Sequence, residues 1–123
     1  METPGDYITL QAVRRFNEAF NRRNVDEIMA AMTEDCIFEN THPPPDGTRL
    51  EGHESIRAYW ISFFEKNPDA LFEAEETITA GDHCTVLWIY RKIKNGKAWH
   101  LRGVDVFRVR DGKVAEKLSY VKG

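Results

Sequence analysis

The chain has 123 residues, of which 41% are hydrophobic and 30% charged, and a formal net charge of −3. That length supports one domain with a real core. The modest glycine and proline content excludes a fibrous or disordered chain, and the dispersed, slightly acidic charge argues against nucleic acid as a partner, since binding a phosphate backbone needs a basic face.

The apolar run at 86–90 falls far short of the ~20 residues that span a bilayer, so no membrane partner is expected. The first residues, Met-Glu-Thr-Pro-Gly-Asp, carry neither the basic nor the apolar segment of a secretory signal, which makes a cytoplasmic location the expectation. Cys36 and Cys84 sit in separate strand candidates without metal-ligand or redox spacing, and read as small buried hydrophobes. The four histidines, at 42, 53, 83 and 100, are not clustered, so neither a metal nor another cofactor is expected.

In chain order, residues 6–22 place Ala12, Val13, Phe16, Ala19 and Phe20 at helical spacing, the pattern of an amphipathic helix. Asn24 followed by Glu27 resembles a capping box and opens a short second helix through Ile28, Met29 and Met32. Residues 36–41 read as a short strand with Phe38 and Asn40 on one face. The stretch 42–47, with three consecutive prolines, reads as a loop, because proline fixes φ and removes a donor. An extended piece at 48–51 leads through Gly52 into a third helix with Ile56, Trp60, Phe63 and Phe64 on one stripe, ended by Asn67-Pro68.

The period then changes to two. Residues 71–80, 84–94, 97–110 and 113–122 read as strands separated by Gly81-Asp82, Asn95-Gly96 and Asp111-Gly112, which makes consecutive hairpins. Asn95-Gly96 is a strong two-residue turn signal and pairs Val86 with Asp105, Trp88 with Gly103, and Tyr90 with Leu101. For the next turn a three-residue loop, Arg110-Asp111-Gly112, pairs Val109 with Lys113, Asp105 with Lys117 and Gly103 with Ser119. A slip of one residue here would reverse the face of the last strand.

Asp105 is the most informative residue. It shares a strand face with Trp99, Leu101, Gly103, Phe107 and Val109, and a carboxylate in such a stripe must be paired, hydrogen-bonded, neutral or solvated by a cavity. Two readings stay open. Alone in a cavity it is an acid/base near neutrality; beside Lys117 it is a structural ion-pair partner. Three helices segregated to one face of a curved antiparallel sheet make an α+β fold whose two layers enclose a conical cavity, where a small hydrophobic molecule would bind.

Four blocks carry a resemblance across nearly the whole chain: Phe16-Asn-Glu-Ala-Phe-Asn-Arg-Arg-Asn-Val-Asp-Glu-Ile28, Glu34-Asp-Cys-Ile-Phe38, Gly52-His-Glu-Ser-Ile-Arg-Ala-Tyr-Trp60 and Gly103-Val-Asp-Val-Phe-Arg-Val-Arg-Asp-Gly-Lys-Val114. In their order and spacing the chain resembles the nuclear transport factor 2-like superfamily (cystatin-like fold), in its SnoaL-like and ketosteroid-isomerase-like branch, which spans isomerases, cyclases and non-catalytic modules. The resemblance places Asp105 at the oxyanion-hole aspartate of steroid isomerases, a family in which burial keeps that acid neutral. Their general-base aspartate falls at Asn40 and their oxyanion tyrosine at Phe16, so steroid isomerisation by the same machinery is not expected. The acid that epoxide-hydrolase-like relatives carry on the final strand falls at Ser119, and Arg102 lies on the face opposite Asp105. SnoaL-like cyclases imply an acid/base carboxylate with polar helpers, roles open to Asp105 and His42.

The resulting expectation is an isomerase- or cyclase-type protein doing proton transfer with Asp105, Asn40 and His42 at the reacting end. A non-catalytic ligand-binding or dimerisation module is the alternative. Phe16, Phe20, Phe38, Trp60, Val86, Trp88, Tyr90, Trp99, Leu101, Gly103, Phe107, Lys117 and Ser119 are the candidate ligand contacts, although aromatic stripes also simply fill cores. The opposite sheet face, with Leu87, Ile89, Val104 and Val106, is too apolar to stand in water and suggests a homodimer.

Overall fold

The computed structural model describes residues 3–122. Helix α1 (Pro4–Asn21), α2 (Val25–Ala30), strands β1 (Met32–Glu39) and β2 (Arg49–Glu51), α3 (His53–Lys66), then β3 (Leu71–Ala80), β4 (His83–Lys94), β5 (Lys97–Arg110) and β6 (Lys113–Val121) follow in that order. The α+β class and the arrangement of helices over a curved sheet agree with the sequence pattern.

Helix α1 starts two residues earlier than periodicity suggested. Thr3 and Asp6 form a capping box, each side chain meeting the other's backbone N–H, and Pro4 occupies the first turn, where its missing donor costs nothing. Its apolar stripe, Ala12, Val13, Phe16, Ala19 and Phe20, is buried against the sheet, and each ring so buried contributes roughly 1.5–3 kcal/mol. Two polar residues tie the helix to the sheet. Thr9 Oγ1 donates to the Gly81 carbonyl at 2.7 Å, and Asn21 both donates to and accepts from the backbone of Phe72, standing in for a strand partner at the β3 edge.

Asn24 caps α2 by accepting from the Glu27 N–H. Met32, expected inside that helix, instead opens β1, because Met32 pairs with Val114 and the Val114 N–H donates to Ala31 O at 2.8 Å. Tertiary hydrogen bonding overrides local helical spacing there.

The six strands form one sheet in the order β2-β1-β6-β5-β4-β3. It is mixed rather than antiparallel throughout, since β1 runs parallel to β6, which the intervening helices and hairpins permit. The β4–β5 hairpin has the expected register along its whole length, with Val86 opposite Asp105 and Trp88 opposite Gly103. The β5–β6 hairpin differs. Asp111 and Gly112 both have positive φ and form a two-residue turn, so Arg110 pairs with Lys113. A bulge at Ala115 then brings Asp105 opposite Ser119 and Phe107 opposite Lys117. The offset from the expected pairing is two residues, so the inward face of β6 is the expected one.

Cys36 and Cys84 are buried free thiols. Among the described residues no helix is long and apolar enough to cross a membrane, and no group of three or more His, Cys, Asp or Glu side chains could hold a metal ion.

Candidate functional site

The inner sheet face and helices α1 and α3 enclose an open cavity of about 480 Å³. Phe16 and Phe20 from α1, Trp60 from α3, Phe38 from β1, and Trp88, Tyr90, Trp99 and Leu101 from the central hairpin all line it, as do Asn40, His42, Asp105, Lys117 and Ser119. Three expected contacts do not. Val86 and Phe107 are fully buried in the core, where Phe16 packs edge-on against Phe107 at 5.7 Å. Gly103 is covered by the Trp88 ring: a Cβ there would lie 2.4 Å from the indole.

Sequence reasoning missed Tyr59, Phe63 and Phe72 in the wall and Lys66 and Lys92 among the lining residues. Phe63 was on the helical stripe, and Phe72 is paired with Tyr90, so face parity along β3 was the available signal. Burial pushes the Tyr59 phenol up, with Asn40 pulling the other way, and pushes Tyr90 up to about 12, helped by the charges of Asp69 and Tyr59. Both rings line the cavity as neutral phenols at neutral pH.

A hydrogen-bonded array forms part of the cavity wall. The Lys117 ammonium donates to Ser119 Oγ at 2.8 Å, Ser119 Oγ donates to Asp105 Oδ1 at 2.7 Å, and Lys117 Nζ lies 3.4 Å from Asp105 Oδ2. The parallel pairing of Phe38 with Lys117 sets Nζ 4.5 Å from the centre of the Phe38 ring, and it lies 5.7 Å from that of Trp60, within cation–π range of both. Lys117 keeps 9% of its side-chain surface exposed and Asp105 only 2%, and both line the cavity. Burial lowers the Lys117 pKa, and the Asp105 carboxylate opposes that shift without cancelling it. The indole N–H groups of Trp60 and Trp88 are buried with no acceptor, which leaves the aromatic wall short of polar partners.

Asn40 has a structural task as well as a place in the lining. Its Oδ1 accepts from the backbone N–H of His42 at 3.2 Å and of Thr48 at 2.7 Å, closing the proline loop between β1 and β2. That amide is committed to the loop and cannot take a proton. His42 stands exposed at the rim of the same loop, about which no array of acid and base is organised.

The family model of the SnoaL-like domain matches residues 13–117. The chain belongs to that family. A nuclear transport factor 2-like protein of unknown function from Mesorhizobium loti is 34% identical, with 100% of this chain and 98% of that one covered and a TM-score of 0.84. A candidate polyketide cyclase from Xanthomonas campestris pv. campestris superposes with a TM-score of 0.77 at 20% identity, covering 96% of this chain and 93% of that one. A candidate ketosteroid isomerase from Kribbella flavida does so with 0.79 at 18% identity, covering 96% and 80%. These last two likenesses concern the fold alone. No curated protein matches the chain. In this SnoaL-like domain the position that the resemblance assigned to an isolated aspartate carries an aspartate hydrogen-bonded to a serine and paired with a lysine.

Proposed function

We propose that this SnoaL-like protein binds a small, largely apolar carbonyl compound and moves a proton on it, in the manner of an isomerase or cyclase. The observation that carries the reading is the Lys117–Ser119–Asp105 array in the wall of an aromatic cavity. Lys117 has three N–H bonds. One goes to Ser119 and one faces Asp105, which leaves a donor for a ligand oxygen. A cation held there stabilises the negative charge that develops on that oxygen when an adjacent C–H proton leaves. Ser119 can take that proton while passing its own to Asp105, so the pair supplies both the acid and the base that Asn40 and Phe16 do not.

The role of acid facing the ligand thereby moves from Asp105 to Lys117. The test is proton exchange into β-tetralone in heavy water, followed by NMR. Exchange accelerated over buffer and lost in Lys117→Met and Ser119→Ala supports the reading. β-Tetralone bound without accelerated exchange overturns the catalytic part and leaves a binding module, which the self-sufficient ion pair favours.

The partner proposed for the outer sheet face is a second copy of the chain. Val104, Val106, Leu87 and Leu118 lie there with Ile78 and Tyr120, of which the last two are more than half exposed. Arg102–Glu75 and Arg108–Glu116 pairs flank this strip. Light scattering at micromolar concentration should give a dimer mass, and Val106→Glu should halve it.

A further inference from the structure

We propose that Lys117 is a covalent amine, condensing with an aldehyde or unhindered ketone in the cavity to form an iminium whose counter-ion is Asp105 and whose protons pass through Ser119. This rests on the reading of the cavity as a carbonyl site and names the chemistry of that site. Three features of the geometry carry it. Lys117 lines the cavity and is the more exposed member of the pair, at 9% of its side-chain surface against 2% for Asp105. Its Nζ lies over Phe38 and Trp60, whose ring faces favour a cation there whether it is an ammonium or an iminium. It also has a proton path already in place, with Ser119 Oγ accepting from Nζ at 2.8 Å and donating to Asp105 at 2.7 Å.

The steps balance without an oxidant or a cofactor. The Lys117 ammonium gives one proton to Ser119 as Ser119 gives its own to Asp105, leaving a neutral amine and a carboxylic acid. The Nζ lone pair attacks the carbonyl carbon, the C=O π electrons move to oxygen, and a proton from nitrogen neutralises the alkoxide to give a carbinolamine. Asp105 returns its proton to the carbinolamine hydroxyl, the C–O bond breaks, water leaves, and the nitrogen lone pair closes the C=N bond. The net change is ammonium plus carbonyl to iminium plus water. One buried cation and one buried carboxylate are present before and after, so the reaction creates no unpaired charge in a site where that would be costly. The cation also keeps its place over the two ring faces. Burial lowers the Lys117 pKa, which eases the first proton transfer.

Lys66 and Lys92 provide an internal control. Both line the cavity, and Lys92 donates to Asn67 Oδ1, yet neither is hydrogen-bonded to a serine–aspartate relay. The experiment treats the whole protein with cinnamaldehyde and sodium borohydride and locates the reduced adduct by peptide mass mapping. The expected result is rapid labelling of Lys117 ahead of every other lysine, slowed about a hundredfold in Ser119→Ala and absent in Lys117→Arg, which keeps the cation but forms no imine. Labelling spread evenly over surface lysines overturns the proposal, and equal rates in wild type and Ser119→Ala overturn the relay. Cinnamyl alcohol, which has the same shape and no carbonyl, separates this proposal from the reading beneath it. If it quenches tryptophan fluorescence while cinnamaldehyde leaves Lys117 unlabelled, the covalent inference falls and the binding site stands. If neither compound enters the cavity, both fall.

Discussion

The two C-terminal hairpins share a strand, β5, and both turn on two residues, Asn95-Gly96 in one and Asp111-Gly112 in the other, with positive φ at all four positions. Beyond their turns they differ. β4–β5 pairs without interruption from Lys94–Lys97 to His83–Arg108, whereas β5–β6 takes in Ala115 as a bulge between the pairs Val109–Val114 and Arg108–Glu116. The extra residue decides the chemistry. An uninterrupted β6 would turn Lys117 and Ser119 to the outer face and leave Asp105 opposite Leu118; the bulge brings both inward and sets a hydroxyl directly across from the carboxylate. Turn chemistry sets where a hairpin starts, and packing further along sets which face its residues occupy.

The strongest way to break this comparison is to insert one alanine between Ala115 and Glu116. That insertion sends Lys117 and Ser119 outward and drives Glu116 into the core, so it should erase the whole stability margin, typically 5–15 kcal/mol, and abolish the cooperative transition followed by circular dichroism. Deleting Ala115 should do much less. It removes the bulge but leaves Arg108 opposite Glu116 and Asp105 opposite Ser119, so the chain should fold with a loss of about 1–3 kcal/mol. An equal effect of insertion and deletion would show that the bulge itself, rather than the facing it sets, is what matters.

Asp105→Asn leaves Lys117, 7% exposed, without its carboxylate. We expect a loss of roughly 3–5 kcal/mol in urea denaturation at neutral pH. Adding Lys117→Met should restore most of it, because the double variant has no unpaired buried charge. A stable single variant would mean that Asp105 does not act as the structural partner of Lys117.

Glycines in the two hairpins sharpen the comparison on a smaller scale. A Cβ on Gly103 would meet Tyr120 O at 2.3 Å and the Trp88 ring at 2.4 Å, so Gly103→Ala should cost about 1–3 kcal/mol through overpacking between the β4 and β6 neighbours. Gly96→Ala at the turn meets nothing within 4 Å, but its φ of +75° strains an L residue, and a loss near ~1 kcal/mol is expected. Paired denaturation curves rank the two.

The last expected effect is absent at neutral pH and appears only in alkali. Tyr90 is held protonated up to about 12 by burial first and by Asp69 and Tyr59 second. Its folded value lies above the ordinary ~10 of a free tyrosine, so between those values the native state keeps a proton that the unfolded state releases, and stability falls as pH rises through that window. Ultraviolet titration at the phenolate band should show Tyr90 ionising late, and Tyr90→Phe should flatten the alkaline fall.

The sequence by itself determined those parts of the protein that rest on local rules. Face alternation placed Asp105 inward, Asn95-Gly96 set the β4–β5 register, and helical spacing picked out Phe16, Phe20 and Trp60 as wall residues; each depends on backbone geometry repeated over a few neighbours. The family resemblance rested on four such segments in order. What only the tertiary structure decided came from contacts between distant segments. The parallel β1–β6 pairing drew Met32 out of its helix and laid Phe38 beside Lys117. Phe16 packed against Phe107, and both Phe107 and Val86 lie outside the cavity lining. The Ala115 bulge answers to the packing of β6 against β1 and β5 at once, and no short-range pattern records such a balance. The aspartate and the lysine that pairs with it could therefore be found from two neighbouring strands, whereas the register that sets Ser119 directly opposite Asp105 required the bulge to be in place.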